Sequence, residues 1–310
     1  MRWLLSKGAI MIYDVIIIGG GPAGLTAALY ARRANKSALV IEKATFGGQI
    51  TYSPKVENIP GFLALSGNEF AEKMVEQVME QGADVECAEV TEIIDGNIKT
   101  VVTDSGNFEG KSVIWATGAK HRMLGLEREE EFVGEGISFC AVCDGAFYTG
   151  KTVAVIGGGN SALQEAIMLS DLCKKVYVVQ NLDYLTGEKK LQEILEGKKN
   201  VEIILGTTVE SLMGDGALNG IVIKSGEKRQ TLLIDGMFVA IGLVPQNEVV
   251  SSLVSLNTWG YVDAGENCQT GTKGIFVAGD CRSKRIRQVA TACADGATAA
   301  LAACDYVDSL

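Results

Sequence analysis

The first long apolar run reads Tyr13-Asp14-Val15-Ile16-Ile17-Ile18, then breaks into Gly19-Gly20-Gly21-Pro22-Ala23-Gly24 and an alanine- and leucine-rich stretch. A short β-branched run bounded by glycines predicts a parallel strand buried on both faces, and the stretch after it predicts a helix. The pattern recurs at Thr152-Val153-Ala154-Val155-Ile156, followed by Gly157-Gly158-Gly159-Asn160-Ser161-Ala162 and a second helical stretch. Near the end, Gly274 to Asp280 (GIFVAGD) predicts a strand ending in a loop, with a helix from about Gln288 to Val307. From Glu202 to Gly242 short strands alternate with turns at Gly214-Asp215-Gly216 and Ser225-Gly226, which predicts an antiparallel meander.

Two copies of one strand-turn-helix unit predict an α/β fold with two doubly wound Rossmann-like domains, each with its own dinucleotide crevice. The late return to the first pattern predicts that the second domain is inserted into the first. The expected boundaries are 1–119 for the first part, 120–247 for the insertion and 248–310 for the return. Hinges are expected near Ala119–Arg122 and Pro245–Glu248. Residues 1–10 read as an extension: the leader MRWLLSKGAI is basic, its apolar core is too short for a signal peptide, and Met11 stands just before the first strand.

Composition narrows the function classes. The 310 residues are 47% hydrophobic and 21% charged, and 37 glycines stand against 4 prolines, which favours nucleotide-binding turns over a disordered linker. A net charge of -10 argues against a nucleic-acid binder. The apolar stretch Val15–Ala31 is interrupted by Gly19-Gly20-Gly21-Pro22, so no membrane span is expected. Of eight cysteines only Cys140 and Cys143 are closely spaced, which predicts a reducing, cytoplasmic setting with one special pair.

Three motifs carry candidate chemistry. Gly19, Gly21 and Gly24 form a G-x-G-x-x-G turn for a pyrophosphate, and Glu42, ending Ala38-Leu39-Val40-Ile41, can accept hydrogen bonds from a ribose diol. The second turn, Gly157, Gly159 and Ala162, precedes a strand Val176–Val179 that runs into Gln180-Asn181-Leu182-Asp183-Tyr184-Leu185-Thr186. No arginine there can pair with a 2′-phosphate, and Asp183 stands three residues late for a diol. The third motif is Cys140-Ala141-Val142-Cys143-Asp144. Two thiols at this spacing can close a disulfide and exchange electrons, with the neighbouring carboxyl handling a proton. A zinc site would need two more soft ligands, but there is no second C-x-x-C and His121 is the only histidine, so no metal is expected. His121 reads as a solvated loop residue. The basic run Arg282–Arg287 reads as a solvated loop, as a docking site for an acidic partner, or as contacts to a cofactor's phosphates.

Together with these turns, the motifs FGGQI (46–50), VENIPG (56–61), ATGA (116–119), FVAIG (238–242) and RQVATA (287–292) make everything after Met11 resemble the low-molecular-weight thioredoxin reductases. The resemblance implies FAD on the first domain, a homodimer, and a redox disulfide on the inserted domain. It places Gly19, Gly21, Pro22, Ala23, Gly24, Glu42 and Lys43 at the adenosine half of FAD. Gly48, Gln49, Asn58, Val90, Thr117, Gly118, Gly279, Asp280, Arg287, Gln288 and Val289 match positions along the rest of the cofactor. Cys143 matches the thiol facing the flavin, Cys140 the thiol attacking the partner disulfide, and Asp144 the acid/base. At 180–186 the chain departs from the HRRxxxR motif of NADPH users: Asn181, Leu182 and Thr186 stand at the three arginine positions. Arginine contacts to phosphate are charge-assisted and often bidentate, so their loss should remove NADPH selectivity. That departure resembles the ferredoxin-dependent flavin thioredoxin reductases. The expectation is a thioredoxin reductase fed by ferredoxin, docking through Lys284 and Arg285, with a domain rotation between the two half-reactions. The alternatives are an NAD(P)H-linked reductase, a diflavin relative, or a flavin redox sensor without turnover.

Overall fold

The structure is a computed structural model that describes residues 11–310 apart from residue 54. The extension read at residues 1–10 lies outside the described residues. The chain forms two compact units. The first takes the residues up to Thr51, then Leu65–Lys120 and Pro245–Leu310; the second takes Tyr52–Ala64 and His121–Val244.

In the first unit, β1 (Ile12–Ile18) lies between β2 (Ala38–Glu42) and β6 (Gly106–Trp115), all parallel. Outside β2 runs β3 (Asp84–Cys87), also parallel. The ten-residue β6 serves two partners along one side. Its N-terminal half pairs antiparallel with β5 (Lys99–Thr103), which pairs with β4 (Val90–Ile94); its C-terminal half pairs in parallel with β17 (Ile275–Val277). Val15, Ile16 and Ile17 are fully buried, as a strand covered on both faces requires. Helices α1 (Pro22–Arg33) and α7 (Val289–Asp308) pack on one face, while α2 (Gly67–Glu80) opens with a capping box between Ser66 and Glu69. The α1–α7 contact needs small residues: a Cβ on Gly296 would lie 2.1 Å from the Ala23 carbonyl oxygen.

The second unit carries β8 (Ile137–Ser138), β9 (Thr152–Ile156), β10 (Lys175–Val179), β11 (Val201–Ile204) and β15 (Gly236–Val239) in the order β11-β10-β9-β15-β8. All neighbours are parallel. A separate antiparallel sheet holds β12 (Thr208–Asp215), β13 (Ala217–Ser225) and β14 (Lys228–Leu233). The expected meander is therefore confined to 208–233. The flanking runs at 201–204 and 236–239 are parallel strands, because their buried apolar residues complete the doubly wound sheet instead of a half-exposed hairpin. Two short strands, β7 (Ala119–His121) and β16 (Leu243–Pro245), form a two-stranded sheet. The helices of this unit are α3 (Glu129–Phe132), α4 (Ala141–Asp144), α5 (Asn160–Leu172) and α6 (Lys189–Glu196). No helix among the described residues is long and apolar enough to cross a membrane.

Candidate active site and cofactor cradle

The first glycine turn joins the end of β1 to α1. Gly19 has φ +109°, and a Cβ there would lie 2.3 Å from the Ala116 carbonyl oxygen, so only glycine fits. Gly24 sits against the Gly19 carbonyl and lets α1 start close to the sheet. At Gly21, by contrast, a Cβ would meet nothing nearer than 3.9 Å, which leaves the turn open on the side where a pyrophosphate approaches. The 46–48 segment folds against this turn: Gly47 N–H donates to Gly20 O at 2.7 Å, and Gly48 lies beside the Gly21 Cα.

Glu42 closes β2 beside the turn. Its Oε2 accepts the Gly20 N–H at 2.7 Å and its Oε1 accepts the Ala44 N–H at 2.9 Å, which fixes the carboxylate while lone pairs remain for a diol. Thr117 and Gly118 follow the end of β6, and Gly279 and Asp280 follow β17. Gly19, Thr117 and Asp280 thus gather at the carboxyl ends of neighbouring parallel strands, where doubly wound sheets bind ligands. Asp280 Oδ1 is buried and takes no hydrogen bond; its nearest cation, Lys284 Nζ, stands 3.2 Å away as an ion pair. Burial pushes the Asp280 carboxyl up, against the pull of Lys284. A hydroxylated cofactor chain would satisfy that oxygen.

Among the other candidates, Pro22 and Ala23 open α1, with Gly279 packed against the Ala23 methyl. Gln49 is exposed in the turn Gly48–Tyr52. Lys43 pairs with Glu89 at 3.2 Å, and Val90 begins β4. Arg287 lies over the Tyr261 ring at 4.1 Å, Gln288 caps α7, and Val289 is the first residue of that helix. Asn58 belongs to the second unit, in Tyr52–Ala64, and is not grouped with the others.

Sequence reasoning missed Asp295, which anchors this cradle. It is buried in α7, accepts from Arg282 Nη2 at 2.8 Å and Lys284 Nζ at 3.1 Å, and takes the Gly279 N–H at 3.1 Å. A lone acid inside an alanine-rich helix was the available signal. The finding corrects two expectations. Arg282 and Lys284 are not solvated docking cations, because Asp295 and Asp280 hold both side chains largely buried. Arg285 alone of the proposed docking pair is exposed.

In the second unit Cys140 and Cys143 form a disulfide, with Cα atoms 5.3 Å apart. Cys143 N–H donates to Cys140 Sγ at 3.2 Å. Ser138, at the end of β8, accepts the Cys140 N–H at 3.1 Å and donates its hydroxyl to Asp144 Oδ2 at 2.6 Å. Asp144 Oδ1 is buried without a partner, and burial raises the carboxyl's pKa, with the Ser138 bond opposing. A proton-handling acid is therefore fixed beside the disulfide by Ser138, a second residue the motif did not single out. Asp144 and Ser138 also border a cleft of about 380 Å³ whose walls include Lys55, Phe147, Tyr148 and Lys151. Among the described residues no cluster of His, Cys, Asp and Glu could hold a metal ion. His121 is another correction. It is buried and stacks on Phe139 with centroids 4.6 Å apart, and desolvation pushes it down to about 4.

The second glycine turn differs from the first. A Cβ on Gly158 would lie 2.6 Å from Gln180 Cδ and Nε2, so the buried Gln180 side chain lies directly on the turn. Gln180 Nε2 donates to Tyr184 O at 3.3 Å, and Gln180 Oε1 accepts the Asn181 N–H at 3.2 Å. Thr186 and Gly187 N–H both donate to Gly158 O, at 2.8 and 2.9 Å. Asn181, Leu182 and Tyr184 point outward, exposed. The first cations after β10 are Lys189 and Lys190, which open α6.

The family model for pyridine nucleotide-disulphide oxidoreductases matches residues 13–296. The chain belongs to that family. Within it, the relatives are low-molecular-weight thioredoxin reductases, as the sequence motifs had implied. The thioredoxin reductase of Listeria innocua is 40% identical over 303 residues, covering 96% of this chain and 95% of the relative. That of Bacillus subtilis is 39% identical over 304 residues, covering 96% of each. A Clostridium pasteurianum relative described as a 34.2 kDa protein in a rubredoxin operon is 42% identical over 298 residues, 95% of this chain and 97% of its own. The crystal structure of the Streptococcus pyogenes thioredoxin reductase superposes with a TM-score of 0.92 at 37% identity, covering 97% of this chain and all of that one. The fold is thus the two-crevice α/β architecture expected from sequence. FAD is the cofactor of this family, and the open Gly21, the fixed Glu42 and the unsatisfied Asp280 fit it. The ferredoxin branch finds no support in these relatives, none of whose names carries ferredoxin.

Proposed function

We propose that this chain is a cytoplasmic, homodimeric thioredoxin reductase that works through FAD and the Cys140–Cys143 pair and draws its electrons from reduced ferredoxin. The observation that carries the donor assignment is the Gln180 side chain seated on Gly158, followed by a loop with no cation from Asn181 to Glu188. A 2′-phosphate would meet no arginine there, and the crowded turn does not offer the open face found at Gly21. The rubredoxin-operon setting named for the Clostridium relative is compatible with an iron-protein donor.

FAD, when bound, supplies two reducing equivalents to the disulfide and can accept them singly. Gly19, Gly21, Gly24 and Glu42 hold its adenosine half, and Asp280 with the start of α7 holds the remainder. Two electrons break the Cys140–Cys143 bond. The Cys140 thiolate attacks the disulfide of the thioredoxin, forming a mixed disulfide and releasing one partner sulfur. Cys143 then attacks Cys140 Sγ, which restores the intramolecular disulfide and frees the partner's second sulfur. Asp144, oriented by Ser138, moves the proton between Cys143 and the leaving thiolate.

The retained turn Gly157-Gly158-Gly159 and the thioredoxin reductase names of the relatives favour a second reading, an NAD(P)H-linked enzyme. Anaerobic mixing of the flavoprotein with NADPH, NADH or reduced ferredoxin separates the two. Flavin bleaching by ferredoxin alone is expected. Rapid, saturable bleaching by NADPH at micromolar concentration rejects the ferredoxin assignment.

A further inference from the structure

The mechanism leaves one buried acid unused. Glu165 lies on α5, on the face that receives the redox turn. The packing is regular on both sides: Ala141 is fully buried against α5, and a Cβ on Gly145, one turn later, would lie 3.2 Å from Leu169 Cδ2, one turn after Glu165. Glu165 Oε2 is buried and has no hydrogen-bond partner. The backbone N–H of Ala141, the residue after Cys140, is directed at its carboxyl. A partly satisfied buried carboxyl under a reactive turn is costly to keep unless its charge is managed.

We propose that Glu165 is a positioning residue of the redox turn, holding Ala141 under the cysteine pair and setting, by its own charge, how readily that pair forms a thiolate. Reduction breaks the Cys140–Cys143 bond with two electrons, and uptake of one proton leaves one thiol and one thiolate. A neutral Glu165 adds no second negative charge beneath that thiolate; an ionised Glu165 opposes it. Burial raises the Glu165 carboxyl to about 7, with the Ala141 N–H pulling the other way, so the switch falls in the working range of the enzyme. The titratable groups on the packed elements are Asp144 on α4, Tyr148 beside it, Lys175 and Tyr177 on β10, Lys189, Lys190, Glu193 and Glu196 on α6, and Asp171 on α5 itself. None contributes to the Glu165 shift, which arises from desolvation.

The inference rests on the disulfide being the redox centre and not on the electron donor, so the test uses chemical reduction. The whole flavoprotein is reduced with dithiothreitol and alkylated with iodoacetamide across pH 5–9, with Cys140 and Cys143 read separately by mass spectrometry. The wild type should show an inflection near pH 7 ahead of the thiol's own titration, and Glu165→Gln should lose it. At pH 8 the variant should alkylate roughly threefold to tenfold faster, since the opposing charge is gone. Superimposable profiles overturn the proposal. If the variant does not fold, reduced-minus-oxidised infrared spectra of Asp144→Asn, which retains Glu165, must show a carboxylic-acid band change; a flat carboxyl region overturns it equally. Loss of thioredoxin reduction with an unchanged pH profile would refute this role and leave the reductase assignment standing.

Discussion

The Gln180 side chain lies directly on Gly158, so close that a single added methyl at that glycine would sit 2.6 Å from its amide. The equivalent glycine contact in the first turn, Gly20, is made by Phe46 and Glu42, while Gly21 there stays open. Two similar glycine sequences therefore present different faces.

That contrast predicts what a change of charge will do. The triple variant Asn181→Arg, Leu182→Arg, Thr186→Arg should gain NADPH-dependent flavin reduction by about tenfold to a hundredfold, since each phosphate pair contributes on the order of 1–3 kcal/mol. Stopped-flow bleaching measures it. No gain would mean that the seat of the pyrophosphate, and not the missing arginines, bars the nucleotide.

Cys143→Ser should retain FAD, because the cradle lies in the first unit, yet lose thioredoxin reduction. Flavin absorbance and a thioredoxin-coupled assay decide it together. Sustained turnover in this variant would remove Cys140–Cys143 from the mechanism.

Ser138→Ala removes the hydroxyl that donates to Asp144 Oδ2 and holds its pKa down against burial. The Asp144 carboxyl should then rise further, and the acid limb of the pH–rate profile for thioredoxin reduction should move to higher pH. Asp144→Asn should slow turnover about 100-fold or more. An unshifted acid limb in Ser138→Ala would assign that limb to another group.

Asp295→Ala would leave Arg282 and Lys284 as unpaired buried cations. Breaking a buried pair from one side costs about 3–5 kcal/mol, and here it also frees the Gly279–Asp280 loop. Lower melting temperature and a reduced flavin-to-protein ratio after gel filtration are the expected outcome. A fully flavinylated, equally stable variant would contradict the anchoring role.

His121 sets an acid limit on stability. Its folded pKa of about 4 lies below the unfolded value of about 6.5, so the unfolded chain binds the extra proton in between. Stability should fall as pH drops from about 6.5 to about 4, by about 3 kcal/mol at most. His121→Phe, which can keep the stack on Phe139, should flatten that part of the melting-temperature profile.

Periodicity and local chemistry determined much of this protein. β1 and β9, with their glycine turns and following helices, are set by β-branched runs and by the φ of Gly19, all of which act within a few residues. Cys140, Cys143 and Asp144 are adjacent in sequence, so their chemistry was legible there, as was the absence of arginine after β10. Tertiary structure decided what depends on partners far along the chain. Whether Val201–Ile204 and Gly236–Val239 join a meander or a parallel sheet follows from which strands lie beside them, and a short apolar run alone does not say. Whether His121, Arg282 and Lys284 are solvated or buried depends on Phe139, Asp280 and Asp295 being brought to them, because a charge's environment belongs to the packed fold. Ser138 and Glu165 flank the redox pair only once β8 and α5 have been placed around α4.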